Sequence, residues 1–304
     1  MKQIYLIIAI VFIGVTGCNI VEEPYGPIID YGWDSAYDQD PVYNDTNAVP
    51  RRRILLEELT GHKCPNCPDG QDIAKDLLTD NPDDFVVVSI HNSGYFSKPD
   101  LTDPSHPYPG DFETETGEKL RIGYQFQVFP GGMLNRTEID GSPKVDYKLW
   151  ETTVNDLLSN PSYMAPRFKF NLVTTFNNEL GNKTVRVQYK VESLGDIPGN
   201  IAIVGYVVES KIISPQTDNR EPNPYVADYE HNHMLRVGFP GDGSGKTIFT
   251  NPKPGDIAEV TNPSDFLITG IDDAWVPENM EVIVFVYNSN TGEILGTEEM
   301  HMVN

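Results

Sequence analysis

Cys64 and Cys67 enclose Pro65 and Asn66, and are the residues of this chain best placed for covalent chemistry. They stand between an apolar run, Ile54 to Leu59, and a segment of helix formers from Gln71 to Leu78. The run predicts a short buried strand, and the later segment predicts a helix reaching about Thr79. A thiol at the first turn of a helix faces unpaired backbone N–H groups and the positive end of the macrodipole, which stabilise its anion. Pro65 suits the first helical position, where no N–H is needed. His62 and Lys63 are expected to add positive charge beside it. Such a pair offers reversible disulfide exchange, with Cys64 attacking and Cys67 resolving. A permanent staple uses the same letters, and for so short a loop would restrain the unfolded chain by about 2 kcal/mol. A zinc site would need two more ligands, and no second cysteine pair exists.

Other candidates carry less. His231 and His233, with Asp228 and Glu230 nearby, would share one face of a strand and could touch one metal; a polar strand start explains them equally. No metal and no cofactor is assigned. Gly241 to Thr247 resembles a phosphate loop but lacks its opening glycine, since Pro240 stands there, and no helix follows. It is expected to be a hairpin loop.

The elements around the cysteines form a β-α-β unit, completed by a buried strand at Phe85–Ile90. Ser93 to Gly110 is a long polar loop, expected on the active-site side. Glu113 to Tyr124 suits a helix, and Lys144 to Leu158 a last helix with one apolar stripe. Arg51–Arg53 is expected to be a solvated edge. From Arg167 the period changes to two. Phe168–Val173, Thr184–Val191, Ile201–Val208, Met234–Phe239, Phe266–Ile271, Glu281–Tyr287 and Ile294–Met302 read as strands. Turn signals stand at Asn178–Lys183 and Asn288–Gly292. The fold class expected is an α/β domain over 51–162 followed by an all-β sandwich of immunoglobulin-like type over 163–304.

The chain opens with Lys2 and an apolar stretch from Ile4 to Val15, too short for the roughly 20 residues of a comfortable span. It ends in Thr16-Gly17-Cys18, which resembles a bacterial lipobox. That resemblance implies a signal peptide over 1–17 and lipid attachment at Cys18. Residues 18–50 then read as an acidic, disordered tether. With 45 acidic against 22 basic residues and a net charge of −23, the surface repels phosphate backbones. Nucleic acid is excluded as an expected partner. Membrane attachment rests on Cys18, whose lipidation leaves Cys64 and Cys67 for each other.

Strand, turn, Cys-x-x-Cys and helix together resemble a divergent thioredoxin domain. The resemblance implies that Glu58 passes protons to Cys67, a role that burial and a raised pKa would suit. Otherwise Glu58 is a strand-end carboxylate paired with a basic residue, and Glu57 faces the other side. It also implies a cis Pro130 opposite the cysteines, with Phe129 and Lys63 beside an incoming peptide. Phe129 is bulkier than that family carries there, and Lys63 replaces its aromatic before the first cysteine. Over the whole mature chain, Leu55–Pro68, Tyr229–Arg236 and Val284–Asn288 resemble the lipoprotein family named after a twenty-eight-kilodalton outer-membrane protein of Gram-negative anaerobes. That family implies an outer-membrane location but supplies no established reaction. Two functions are expected: a tethered thiol–disulfide oxidoreductase acting on exported proteins with cysteines or disulfides, or a surface binding or adhesin-type lipoprotein with a retained disulfide.

Overall fold

A computed structural model of the protein describes residues 49–177, 183–260, 266–269 and 271–303. The signal segment, Cys18, the tether as far as residue 48, and most of the turn expected after Asn177 lie outside the described residues. Among the described residues no helix is long and apolar enough to cross a membrane.

The first half contains β1 (Ile54–Leu59), α1 (Cys67–Asp80), β2 (Phe85–Ile90), α2 (Glu115–Gly123), β3 (Gly131–Leu134), β4 (Lys144–Asp146), α3 (Trp150–Leu158) and a short α4 (Pro161–Met164). β1 and β2 are parallel, with Ile54 opposite Phe85, and are fully buried, as their near-continuous apolar letters require. β3 runs antiparallel to β1, and β4 to β3, giving the order β2-β1-β3-β4. One face packs Ile54 and Leu56 against Ala74, Leu77, Trp150 and Val154 from α1 and α3.

The second half is mostly strand: β5 (Phe168–Asn177), β6 (Thr184–Ser193), β7 (Asn200–Glu209), β8 (Ile212–Ile213), β9 (Gln216–Thr217), β10 (Tyr225–Val226), β11 (Glu230–His231), β12 (Met234–Phe239), β13 (Lys246–Thr250), β14 (Ile257–Glu259), β15 (Leu267–Thr269), β16 (Met280–Asn288) and β17 (Ile294–His301). Its larger layer joins the first half in one mixed sheet of order β17-β16-β7-β12-β2-β1-β3-β4. The join is narrow: Met234 pairs with Ser89, and Ser89 N donates to His233 O at 2.8 Å. Leu55, Val86 and Val88 share a core there with Tyr206, Val208 and Phe285. A second sheet, β5, β6, β14 and β15, packs Phe168, Val185 and Val187 against Ile201, Val282 and Val284. The second half is therefore not an isolated sandwich. One of its layers is the far end of the mixed sheet.

Three expectations change. The helix expected from Lys144 begins at Trp150, because Val145 pairs with Gly132 and draws Lys144–Asp146 into the sheet, and the short α4 follows it. The loop before Thr247 is no hairpin. β12 and β13 both run antiparallel to β7, Phe239 opposite Gly205 and Lys246 opposite Ile203, so the loop is an excursion between two stretches of one strand line. Arg52 and Arg53 are buried rather than solvated, and pair with Glu293 and with Glu298 and Glu299. Residues distant in sequence supply those carboxylates, so a local charge run could not reveal them.

Candidate functional site

Cys64 and Cys67 are joined as a disulfide. Cys67 is the first residue of α1, and Asn66 is its N-cap. Pro68, not Pro65, occupies the first turn; Pro65 lies before the helix. Cys64 is 2 % exposed and Cys67 0 %, so the pair is covered.

The cover comes from the second half. Residues 212–231 fold back as a ribbon, with β8 paired to β11 and β9 to β10. Thr217 N donates to His62 O at 2.8 Å and Asn219 N to Pro65 O at 3.1 Å. The fully buried Gln216 donates its side-chain amide to Cys64 O at 3.0 Å. Arg220 ties the ribbon tip to Asp72 and Asp69 of α1. The loop after β2 closes the other side. Lys63 N donates to Phe96 O at 2.9 Å, the Tyr108 hydroxyl meets Thr217 Oγ1 at 2.7 Å, and the Tyr225 hydroxyl donates to Pro107 O.

Glu58 is fully buried on the face of β1 that α1 covers. Burial pushes its carboxyl up to about 7, against the opposing hydrogen bond from Ser89 Oγ at 2.9 Å. At neutral pH it is poised to give or take a proton. Among the described residues no basic partner neutralises it, unlike Glu57 on the opposite face. Arg136 grips Glu57 with two bonds of 2.7 and 2.6 Å, and the Tyr206 hydroxyl donates to it at 3.0 Å.

The Phe129–Pro130 peptide is cis. Pro130 packs so closely on the first turn of α1 that a Cβ at Gly70 would lie 3.0 Å from its ring. Phe129 is half-buried against Phe96. Lys63 lies over the Tyr95 ring at 4.6 Å, with Asp100 at 3.9 Å, so its charge is already shared.

The expected positive charge on His62 is absent. Burial, and then Lys63, lower its pKa to about 4. His62 belongs to a buried cluster with His91, His231 and Phe112. Burial holds His231 at about 4 and His91 well below its ordinary value. His231 and His233 part company: His233 adopts φ +53 and turns to Glu281. Among the described residues no group of three or more His, Cys, Asp or Glu is arranged to hold a metal.

Sequence reasoning missed the ribbon, Gln216 and the Glu57–Arg136–Tyr206 cluster. Their partners lie far apart in the chain, and only an unusual density of turn residues over 214–224 hinted at a folded excursion.

The order β2-β1-β3-β4, with Cys-x-x-Cys at the start of α1 and a cis-proline before β3, defines a thioredoxin-like half within a mostly β chain. The structure is similar to HBP35 of Porphyromonas gingivalis, with a TM-score of 0.57 at 15% identity over 84% of this chain and 77% of that one. That likeness shows a shared fold. It also matches a domain of the outer membrane lipoprotein Omp28 from Porphyromonas gingivalis, with a TM-score of 0.26 at 16% identity over 45% of this chain and 88% of that one. A third match is protein AGR_C_4864 from Agrobacterium tumefaciens, with a TM-score of 0.45 at 14% identity over 84% of this chain and 96% of that one. No family model and no curated protein matches the chain.

Proposed function

We propose that this chain is a thiol–disulfide oxidoreductase of the cell envelope, tethered to the outer membrane by lipid at Cys18. Its substrates are exported proteins with cysteines or disulfides. The observation that carries the reading is the disulfide at the first turn of α1, with the proton-bearing Glu58 on the strand face that α1 covers.

Exchange starts when the ribbon over Cys64 lifts. A substrate thiolate attacks Sγ of Cys64, the Cys64–Cys67 bond breaks, and Cys67 leaves as a thiolate that takes its proton from Glu58. A second substrate thiolate attacks the mixed disulfide and releases Cys64 as a thiolate. Two electrons have then passed to the chain and the substrate carries a new disulfide. The reverse sequence reduces a substrate disulfide. A dithiol or disulfide partner of opposite sense completes turnover.

A second reading, a surface binding lipoprotein with a static disulfide, is favoured by the burial of both sulfurs. One experiment on the mature protein separates the two. Cys67→Ser is incubated with a disulfide-containing exported protein, and wild type is equilibrated against glutathione. A mixed disulfide through Cys64, with a reduction potential above about −300 mV, supports exchange. No adduct and a potential below that value leave the binding reading.

A further inference from the structure

A cavity of about 440 Å³ opens between α1 and residues 229–233, and neither cysteine lines it. Its inner end is the buried carboxyl of Glu58, beside Ser89, Val87 and Ala74. Glu58 Oε2 accepts from Ser89 Oγ; Oε1 has no hydrogen-bond partner among the described residues. Leaving such an oxygen unmet costs folding free energy. The middle of the cavity is apolar, with Leu78, Val87 and the Tyr229 ring. The rim is exposed and carries Asp72, Glu230 and Lys75.

A buried carboxylate calls for a cation or strong donors. Among the described residues only burial and the Ser89 bond act on Glu58, and no cation serves it. Lys75 reaches the rim alone, Asp72 is held by Arg220, and His233 faces Glu281. The cavity thus offers a vacant acceptor at its floor, hydrocarbon along its walls and water at its mouth.

We infer that this cavity binds a primary ammonium on a short hydrocarbon chain, its N–H groups donating to Glu58 Oε1 and its carbons lying on Val87, Leu78 and Tyr229. An anion of equal size meets Glu58 and two rim carboxylates, and is rejected. A neutral alcohol satisfies Oε1 without the charge-assisted gain.

The test uses the mature oxidised protein, n-butylamine as probe, and n-butanol and butyrate as comparators, read by calorimetry and amide chemical shifts. Butylamine is expected to saturate a single site at least tenfold more tightly than butanol, with butyrate not binding. Shifts should centre on Gln71, Ala74 and Tyr229, and Glu58→Gln should weaken butylamine at least tenfold. Should that variant not fold, proton release on binding to wild type gives the same answer. The groups facing the cavity are Glu58, Asp72 and Lys75 from β1 and α1, and Tyr229, Glu230 and His233 from the opposite wall. Burial raises the Glu58 carboxyl to about 7, so an ammonium bound there at pH 6 expels close to one proton. No saturable binding, equal binding of butanol, or no proton release at pH 6 overturns the inference. Binding is read without any free thiol, so loss of the redox reading leaves this result untouched, and the converse holds.

Discussion

The amide of Thr217 donates to the carbonyl of His62 at 2.8 Å, so a segment of the second half hydrogen-bonds to the turn that carries the disulfide. With Gln216 on Cys64 O and Arg220 on α1, this contact holds the ribbon over the disulfide.

Loosening the ribbon should therefore speed attack on the disulfide. Gln216→Ala with Arg220→Ala removes the buried amide's bonds to Cys64 O and Gly61 O and the tip's ion pairs, worth about 1.4 kcal/mol or more of opening free energy. The rate of reduction by dithiothreitol should rise roughly tenfold, with the folded spectrum unchanged. An unchanged rate would mean that the ribbon does not control access.

The two thiols should differ after reduction. Cys67 is fully buried at the helix start, and Cys64 is the sulfur whose carbonyl the ribbon holds. Iodoacetamide at neutral pH is expected to modify Cys64 first, as peptide mass mapping would read. Modification of Cys67 first would reverse their roles.

Arg136→Met should be severely destabilising. It leaves Glu57 and the Tyr206 hydroxyl buried with no cation, at a cost of about 3–5 kcal/mol. Adding Glu57→Leu should recover much of the loss. Urea denaturation of the single and double variants measures both steps, and a loss under 1 kcal/mol in the single variant would discount the pair.

Stability should depend on pH through groups with opposite signs. His62 and His231 lie at about 4 against an ordinary 6.5. Between those values the unfolded state holds the extra protons, so stability rises with pH across that window. Glu58 lies at about 7 against 4.5, so there the folded state holds the extra proton. Its contribution falls by about 3 kcal/mol as pH rises through the window. His91 is held low with the same sign, so three histidines outweigh one carboxyl and wild type should gain stability up to about pH 6.5. Glu58→Gln should steepen that rise and exceed wild type above pH 7. Urea midpoints measured from pH 4.5 to 8 test both signs.

Features that depend on neighbours in sequence were legible. The apolar runs of β1 and β2, the helix after Cys67 and the alternating strands from Phe168 onward all follow from side-chain period, which is set residue by residue. So was the pairing of Cys64 with Cys67, since the spacing leaves each sulfur beside the other. Lys144–Asp146 was misread because a helical stripe and a short paired strand use the same apolar letters, and only the pairing with β3 decides between them.

Burial and access depended on contacts that no local pattern encodes. Nothing near Arg52 names Glu293, and nothing near Cys64 names Gln216. The sequence determined that a disulfide stands where a helix starts and that an acid lies on the strand before it. The tertiary structure decided that the sulfurs are roofed, that His62 is neutral and that Glu58 faces a cavity. Desolvation and cover arise from what the rest of the chain packs on top, and that packing is a property of the whole fold.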